Sequence, residues 1–198
     1  MLAKKTKILL YSNNLWVFGE GMLGPLFAVF AQRLGGSVLD ISWAWSIYLV
    51  VTGILVILIG KVSDVKISKE KLMIAGSFLN ALFTFGYIFV STPTQLFLVE
   101  AGLGVAAALS SATWSALYAE HGDIGRSGYI WGLANGQSQL TMGIAIIVGG
   151  FIVNHFSFTV LFITMGIIQL VAAIYQAQIL RNKAIPPSDL RGHPTFKL

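Results

Sequence analysis

Glu20 and Glu100 each stand alone in a long apolar stretch, and a carboxyl in such surroundings is a candidate for exchanging a proton or binding a solute. Polar residues accompany both at helical spacing. Asn13 lies seven residues before Glu20, and Ser111 eleven residues after Glu100 with Trp114 close by, so each falls on nearly the same helix face as its carboxyl. A third group, Asn135, Gln137, Gln139 and Thr141, makes another apolar stretch unusually polar, with Asn135 and Gln139 on one face. Side chains of this kind contact a polar solute or hydrogen-bond across helices, and the second is the commoner use. Trp16, Trp43, Trp45, Trp114 and Trp131 offer rings for stacking, although interface belts account for most such Trp.

Enzymatic chemistry has no residues to run on. His121, His155 and His193 fall in separate segments, so no metal centre is expected. With no cysteine, thiolate zinc sites, disulfides and Cys nucleophiles are excluded. There is no G-x-S-x-G elbow and no G-x-x-x-x-G-K-[ST] phosphate loop. Neither an enzyme nor a cofactor is expected.

The elements that must position these residues follow from composition. The 198 residues are 56% hydrophobic and 11% charged, with a mean hydropathy of +0.77, whereas a soluble domain carries about 25% charged residues. A water-soluble globule and a disordered chain are both excluded. Six apolar stretches, 8–32, 41–60, 72–91, 95–119, 128–153 and 158–180, are each long enough to cross roughly 30 Å of hydrocarbon as a helix. Glu20 and Glu100 are the only formal charges inside them, as expected where a central charge costs at least about 3 kcal/mol. The runs are continuous rather than alternating, which favours helices over a membrane barrel. Residues 1–7 read as an N-terminal segment and 181–198 as a polar tail, begun by Ile185-Pro186-Pro187-Ser188. Asn13, Asn14 and Glu20 interrupt the first run, so it is not expected to be a cleaved signal peptide.

Charge fixes the expected orientation. Of the 13 Lys and Arg, twelve fall on the side shared by the N-terminus, loops 61–71 and 120–127 and the tail, and only Arg33 falls on the other. Both termini are therefore expected in the cytoplasm, with the chain in a bacterial-type inner membrane. Topology thus accounts for the isoelectric point near 9.6, and no nucleic-acid partner is expected.

Glu20-Gly21-Met22-Leu23-Gly24 and Glu100-Ala101-Gly102-Leu103-Gly104 nearly repeat one another. Two three-helix units inserted in succession have opposite orientations, so a true duplication is an inverted repeat with binding near the bilayer midplane. Gly128, Gly132 and Gly136 form overlapping small-xxx-small steps, a packing feature.

The loop Gly60-Lys61-Val62-Ser63-Asp64-Val65-Lys66-Ile67-Ser68-Lys69-Glu70-Lys71 resembles the cytoplasmic signature of the major facilitator superfamily, G-x-x-x-D-R-x-G-R-R. Gly60, Asp64 and the basic cluster match, while Val65 and Ile67 replace the Arg and Gly. Arg126, before Gly128 and Gly132, looks like the basic residue that opens the family's fifth helix. Gly149-Gly150 resembles the end of its antiporter motif, but the Gly-Pro pair falls at Ala145-Ile146, so antiport gets no support. Gly102 and Gly104 resemble the fourth-helix pattern, with Leu98 where its Arg is expected.

The resemblance implies an all-α integral membrane protein, one six-helix half built as a three-plus-three inverted repeat. It also implies secondary transport of a small solute by alternating access, with Glu20, Glu100, Asn13, Asn135 and Gln139 as proton-coupling or substrate candidates. Gly60, Asp64 and Arg126 would form a gating loop. The expected partners are the lipid bilayer, an unidentified small molecule and a second six-helix half, as another copy or a separate chain. The competing expectation is a non-transporting membrane scaffold or assembly partner that docks through the polar fifth helix. Glu20 falls near the middle of its span and no Lys, Arg or His lies in any span to pair with it. It is therefore expected either to hold a proton or to face a wet cavity.

Overall fold

The computed structural model describes residues 4–64, 67–122 and 124–181. Val65 and Lys66 of the loop signature, Asp123, residues 1–3 and the tail 182–198 with its Pro186-Pro187 stop lie outside the described residues. The described chain is all-helical, without strand: α1 (Lys4–Gly21), α2 (Leu26–Arg33), α3 (Val38–Ser63), α4 (Lys69–Gly86), α5 (Pro93–His121), α6 (Ser127–His155) and α7 (Phe158–Ala177). Short 3-10 turns extend α4 over Tyr87–Phe89 and α7 over Gln178–Arg181. Five helical units are long and apolar enough to cross a membrane, and α1 with α2, bent by 44° between them, makes a sixth.

Local sequence explains where the helices start and why the first is broken. Ser37, Ser68, Thr92 and Ser157 each accept a hydrogen bond from a backbone N–H in the first turn of α3, α4, α5 and α7, the usual way to satisfy orphan donors at a helix start. Ser37 and Asp40 form a reciprocal box, Asp40 accepting from the Ser37 N–H at 2.8 Å. The helices outrun the apolar stretches, taking in polar residues at the ends. Pro25 lacks an N–H and its ring obstructs the preceding turn, so α1 stops at Gly21 and α2 begins after Pro25.

The packing has an internal symmetry. The α1 helix packs against α6 and α7, while α5 packs against α3 and α4, and α4 meets α7 along the seam. Exchanging the first three spans for the last three reproduces this pattern, so the two trios interlock through their leading helices. In consequence α5 is central, with 56% of its span buried, whereas α3 and α6 are peripheral at 6% and 11%. Two apolar clusters close the ends of the bundle. Leu9, Met73, Leu117, Tyr118, Ile130 and Ile179 pack at the end that carries the termini. Met22, Phe30, Tyr87, Leu103, Phe162 and Met165 pack at the opposite end, where the Tyr87 and Phe162 rings stack at 5.0 Å. Between them lies a buried polar belt of Ser12, Ser77, Asn80, Thr84, Gln169 and Gln176. That belt holds the candidate site.

Candidate functional site

Glu20 sits at the end of α1, one residue before Gly21 and beside the break in the first span. Its Oε1 accepts from Asn80 Nδ2 on α4 at 3.0 Å and from Gln169 Nε2 on α7 at 3.0 Å. Asn80 Nδ2 also donates to Gln169 Oε1, so the two amides hold each other as well as the carboxylate. Both amide side chains are fully buried, and Glu20 is half-buried. Gln169 reaches Glu20 by passing over Gly19, where a Cβ would stand 2.8 Å from Gln169 Cγ. Three helices therefore meet at one carboxylate oxygen, through hydrogen bonds that charge on the acceptor strengthens. Among the described residues no Lys, Arg or His forms an ion pair with Glu20 or Glu100.

Glu100 is the eighth residue of α5 and its side chain is buried. It accepts from the Tyr87 hydroxyl of the turn that extends α4. The sequence places one acid on each leading helix, and the fold gives the two separate hydrogen-bond partners.

The other candidates separate. Asn13 donates to Ser138 Oγ of α6 at 3.0 Å, and Asn14 to Gln137 Oε1 at 3.0 Å. Two polar residues of α6 are thus spent on holding α1, the commoner interhelical use. Asn135 and Gln139 do share a face, but it is the exposed one, together with Gly128, Gly132 and Gly136, none of which has a neighbouring group within 4 Å of where a Cβ would stand.

A cleft of about 90 Å³ opens between α1 and α5. Asn13 and Trp16 form one wall and Ser110, Ser111 and Trp114 the other, with Ser77 and Gln176 as its floor. Trp114 is locked in place, its Nε1 donating to the Leu9 carbonyl at 3.0 Å and its ring stacked on Tyr118 at 4.8 Å. Ser77 Oγ donates to Gln176 Oε1. The Trp16 indole N–H is shielded from solvent and has no acceptor among the described residues.

At the terminal end, Lys69 at the start of α4 bridges Asp64, 3.3 Å away after α3, and Glu120 near the end of α5. Gly60 and Arg126 lie apart from this triad: the Gly60 carbonyl accepts from Ser63 Oγ at 2.9 Å, and Arg126 is exposed at the start of α6. Among the described residues no group of three His, Asp or Glu is arranged to hold a metal ion.

Sequence reasoning missed Asn80, Gln169, Gln176, Ser77 and Lys69. For the amides a signal was present: Asn80 is the lone amide of the third apolar stretch, and Gln169 and Gln176 are two of the three amides of the sixth, with Gln178. A lone amide in a spanning helix must find a partner across helices.

The family model of the Major Facilitator Superfamily matches residues 10–195. An uncharacterized MFS-type transporter of Methanocaldococcus jannaschii is 25% identical over 173 residues, covering 87% of this chain and 45% of that protein. The chain thus spans about half the length of the curated relative it matches.

Proposed function

The chain belongs to the major facilitator superfamily, and from that premise we propose that it forms one wall of a secondary active transporter moving a small solute by alternating access. The observation that carries this reading is the mid-span Glu20 carboxylate, bonded at once to α4 and α7 at the break of the first span. A proton arriving at that oxygen weakens two interhelical bonds together, because an amide N–H bonds a carboxylate more strongly than a neutral acid. The protonation state of one group thereby biases how α1 sits against α4 and α7. A bistable contact of that kind is what proton coupling requires.

The opposing wall is supplied by a second six-helix half. Its seat is the pair of peripheral helices α3 and α6, whose exposed faces carry Gly53, Gly60, Gly128, Gly132 and Gly136 with open space above them. Small residues of this kind let a neighbouring helix approach closely. Asn135 and Gln139, exposed on the same helix, give that surface polar contacts or line the water-filled space between halves.

Reconstitution into liposomes tests the reading. A transporter gives solute-dependent proton movement under an imposed pH gradient. A scaffold leaves the internal pH at the protein-free rate, and that result would overturn the proposal.

The positive-inside distribution supports a reading with both termini in the cytoplasm and the chain in an inner membrane. Because the sequence contains no cysteine, a single cysteine at Ser68 or at Ser37 gives an unambiguous label. An impermeant maleimide on intact cells is expected to react at position 37 and not at 68. The reverse pattern would invert the topology.

Asp64 and Lys69 act at the terminal end as part of a gate. Asp64→Asn removes one arm of the Lys69 bridge and leaves Glu120 in place. Exposed ion pairs contribute about 0–1 kcal/mol, so the expected effect is a transport rate lowered by about two- to fivefold with insertion unchanged. An unaltered rate would remove Asp64 from the gate.

A further inference from the structure

The transport reading leaves the solute open, and the cleft between α1 and α5 carries information about it. We infer that this cleft recognises a small uncharged polyhydroxy solute, with the Trp16 indole N–H as a hydrogen-bond donor to it and the fixed Trp114 ring as an apolar wall. The inference rests on the transport reading and deepens it.

The lining sets hydroxyl, amide and indole groups in a mostly apolar surface that includes Ala107, and no ionisable side chain takes part. A solute with net charge would enter this space without a countercharge, whereas hydroxyl groups find donors and acceptors of their own kind. Trp16 borders the cleft, and its N–H, with Asn14 Oδ1 and Thr84 Oγ1, is one of three shielded polar atoms without a partner among the described residues; a buried donor without a partner is costly unless a ligand or water supplies the acceptor. Trp114, fixed by the Leu9 carbonyl and by Tyr118, offers a rigid ring against which the C–H face of a polyol can pack. The cavity of about 90 Å³, at about 30 Å³ per water, has room for roughly three waters. That is space for one edge of a polyol or sugar ring, the remainder meeting the opposing half. Glu20 is absent from the lining, and its Oε1 is already taken by Asn80 and Gln169. Recognition and proton coupling are therefore assigned to separate groups.

The test is equilibrium binding of radiolabelled glycerol, D-xylose and D-glucose to the full chain in lipid nanodiscs, with L-lactate and L-lysine as charged comparisons. At least one neutral probe should bind saturably. Trp16→Phe, which keeps a ring and removes the donor, should weaken that binding about five- to tenfold, the equivalent of one hydrogen bond. If that variant is recovered poorly, Ser111→Ala, which removes an exposed hydroxyl from the wall, should weaken binding about threefold. Absence of saturable binding by all three neutral probes overturns the inference. Binding of a charged probe that depends on Trp16 overturns the solute class and leaves the transport reading standing. Trp16-dependent binding of a neutral probe, with no movement of that probe across liposome membranes, upholds the solute class and overturns transport.

Discussion

Glu20→Gln is expected to fold and insert as the wild type does and to lose accumulation driven by a pH gradient, while downhill exchange of solute persists. The expectation follows from which atom carries the bonds. Asn80 and Gln169 both donate to one oxygen of Glu20, and a glutamine of the same length presents a carbonyl oxygen to both. The packing and the interhelical bonds survive, so stability should change by less than about 1 kcal/mol. The ability to take up and release a proton is what disappears. Glu20→Ala makes the useful contrast, since it leaves the buried Gln169 Nε2 without an acceptor and Asn80 Nδ2 with Gln169 Oε1 alone, at about 1–3 kcal/mol for an unsatisfied group. The alanine variant should therefore be recovered poorly or melt earlier, and the glutamine variant should not. The measurement is uptake into liposomes under an imposed pH gradient, wild type against Glu20→Gln. Equal gradient-driven accumulation would return Glu20 to a structural role. If Gln supports neither accumulation nor exchange, the residue serves the solute or the conformational change directly instead of the coupling.

Glu100 is not interchangeable with Glu20 in this respect. It accepts from a tyrosine hydroxyl and lies buried in the aromatic end of the bundle. In the sequence the two acids look like equivalents in a repeated pentad. The fold preserves that equivalence at the level of helix pairing, where α1 and α5 occupy matching places, and breaks it at the level of partners. A near-repeat reports shared backbone architecture, whereas the groups that meet each acid come from α4 and α7, in stretches where no repeat was visible.

How far the sequence can be read depends on which physical constraint each feature answers to. The partition of charge out of six apolar stretches is imposed by the bilayer, so the all-helical architecture was plain without coordinates. The Ser and Thr that open α3, α4, α5 and α7 answer to local rules and were open to the same kind of reading. What spacing along one helix cannot supply is the rotation of that helix against its neighbours. Asn13 and Glu20 share a face by periodicity, yet Asn13 is directed to Ser138 and the cleft while Glu20 is directed to α4 and α7. Asn135 and Gln139 share a face too, and only the packing of α6 on α1 decides that it is Gln137 and Ser138 that turn inward. The 44° break had its sequence sign in Gly24-Pro25. Its consequence, a carboxylate at the end of a half-span where backbone and side chain can shift together, needed the three-dimensional arrangement.

That break depends on α6, and the dependence gives the second large effect. Gly149 packs directly on the backbone of Met22, the first residue beyond α1, and a Cβ at position 149 would run into the Met22 carbonyl. Gly21 makes the reciprocal approach, with Ala145 Cβ 2.9 Å from where its own Cβ would stand. A backbone carbonyl cannot swing aside as a flexible side chain does, so Gly149→Ala has to push α6 away from the broken segment. Overpacking of this kind costs about 1–3 kcal/mol, and Gly149→Leu should cost enough to leave little folded protein. Gly150 is the internal control. Nothing lies within 4 Å of a Cβ at that position, and replacing a helical glycine by alanine where there is room gains up to about 1 kcal/mol. The two adjacent substitutions should therefore move the thermal midpoint of the detergent-purified protein in opposite directions, Gly149→Ala downward and Gly150→Ala unchanged or upward. Because α6 meets the chain two residues beyond Glu20, Gly149→Ala should also lower gradient-driven accumulation in the protein that does fold, whereas Gly150→Ala should not. Equal midpoints for the two variants would mean that α6 does not brace the break, and the coupling of that break to Glu20 would lose its support.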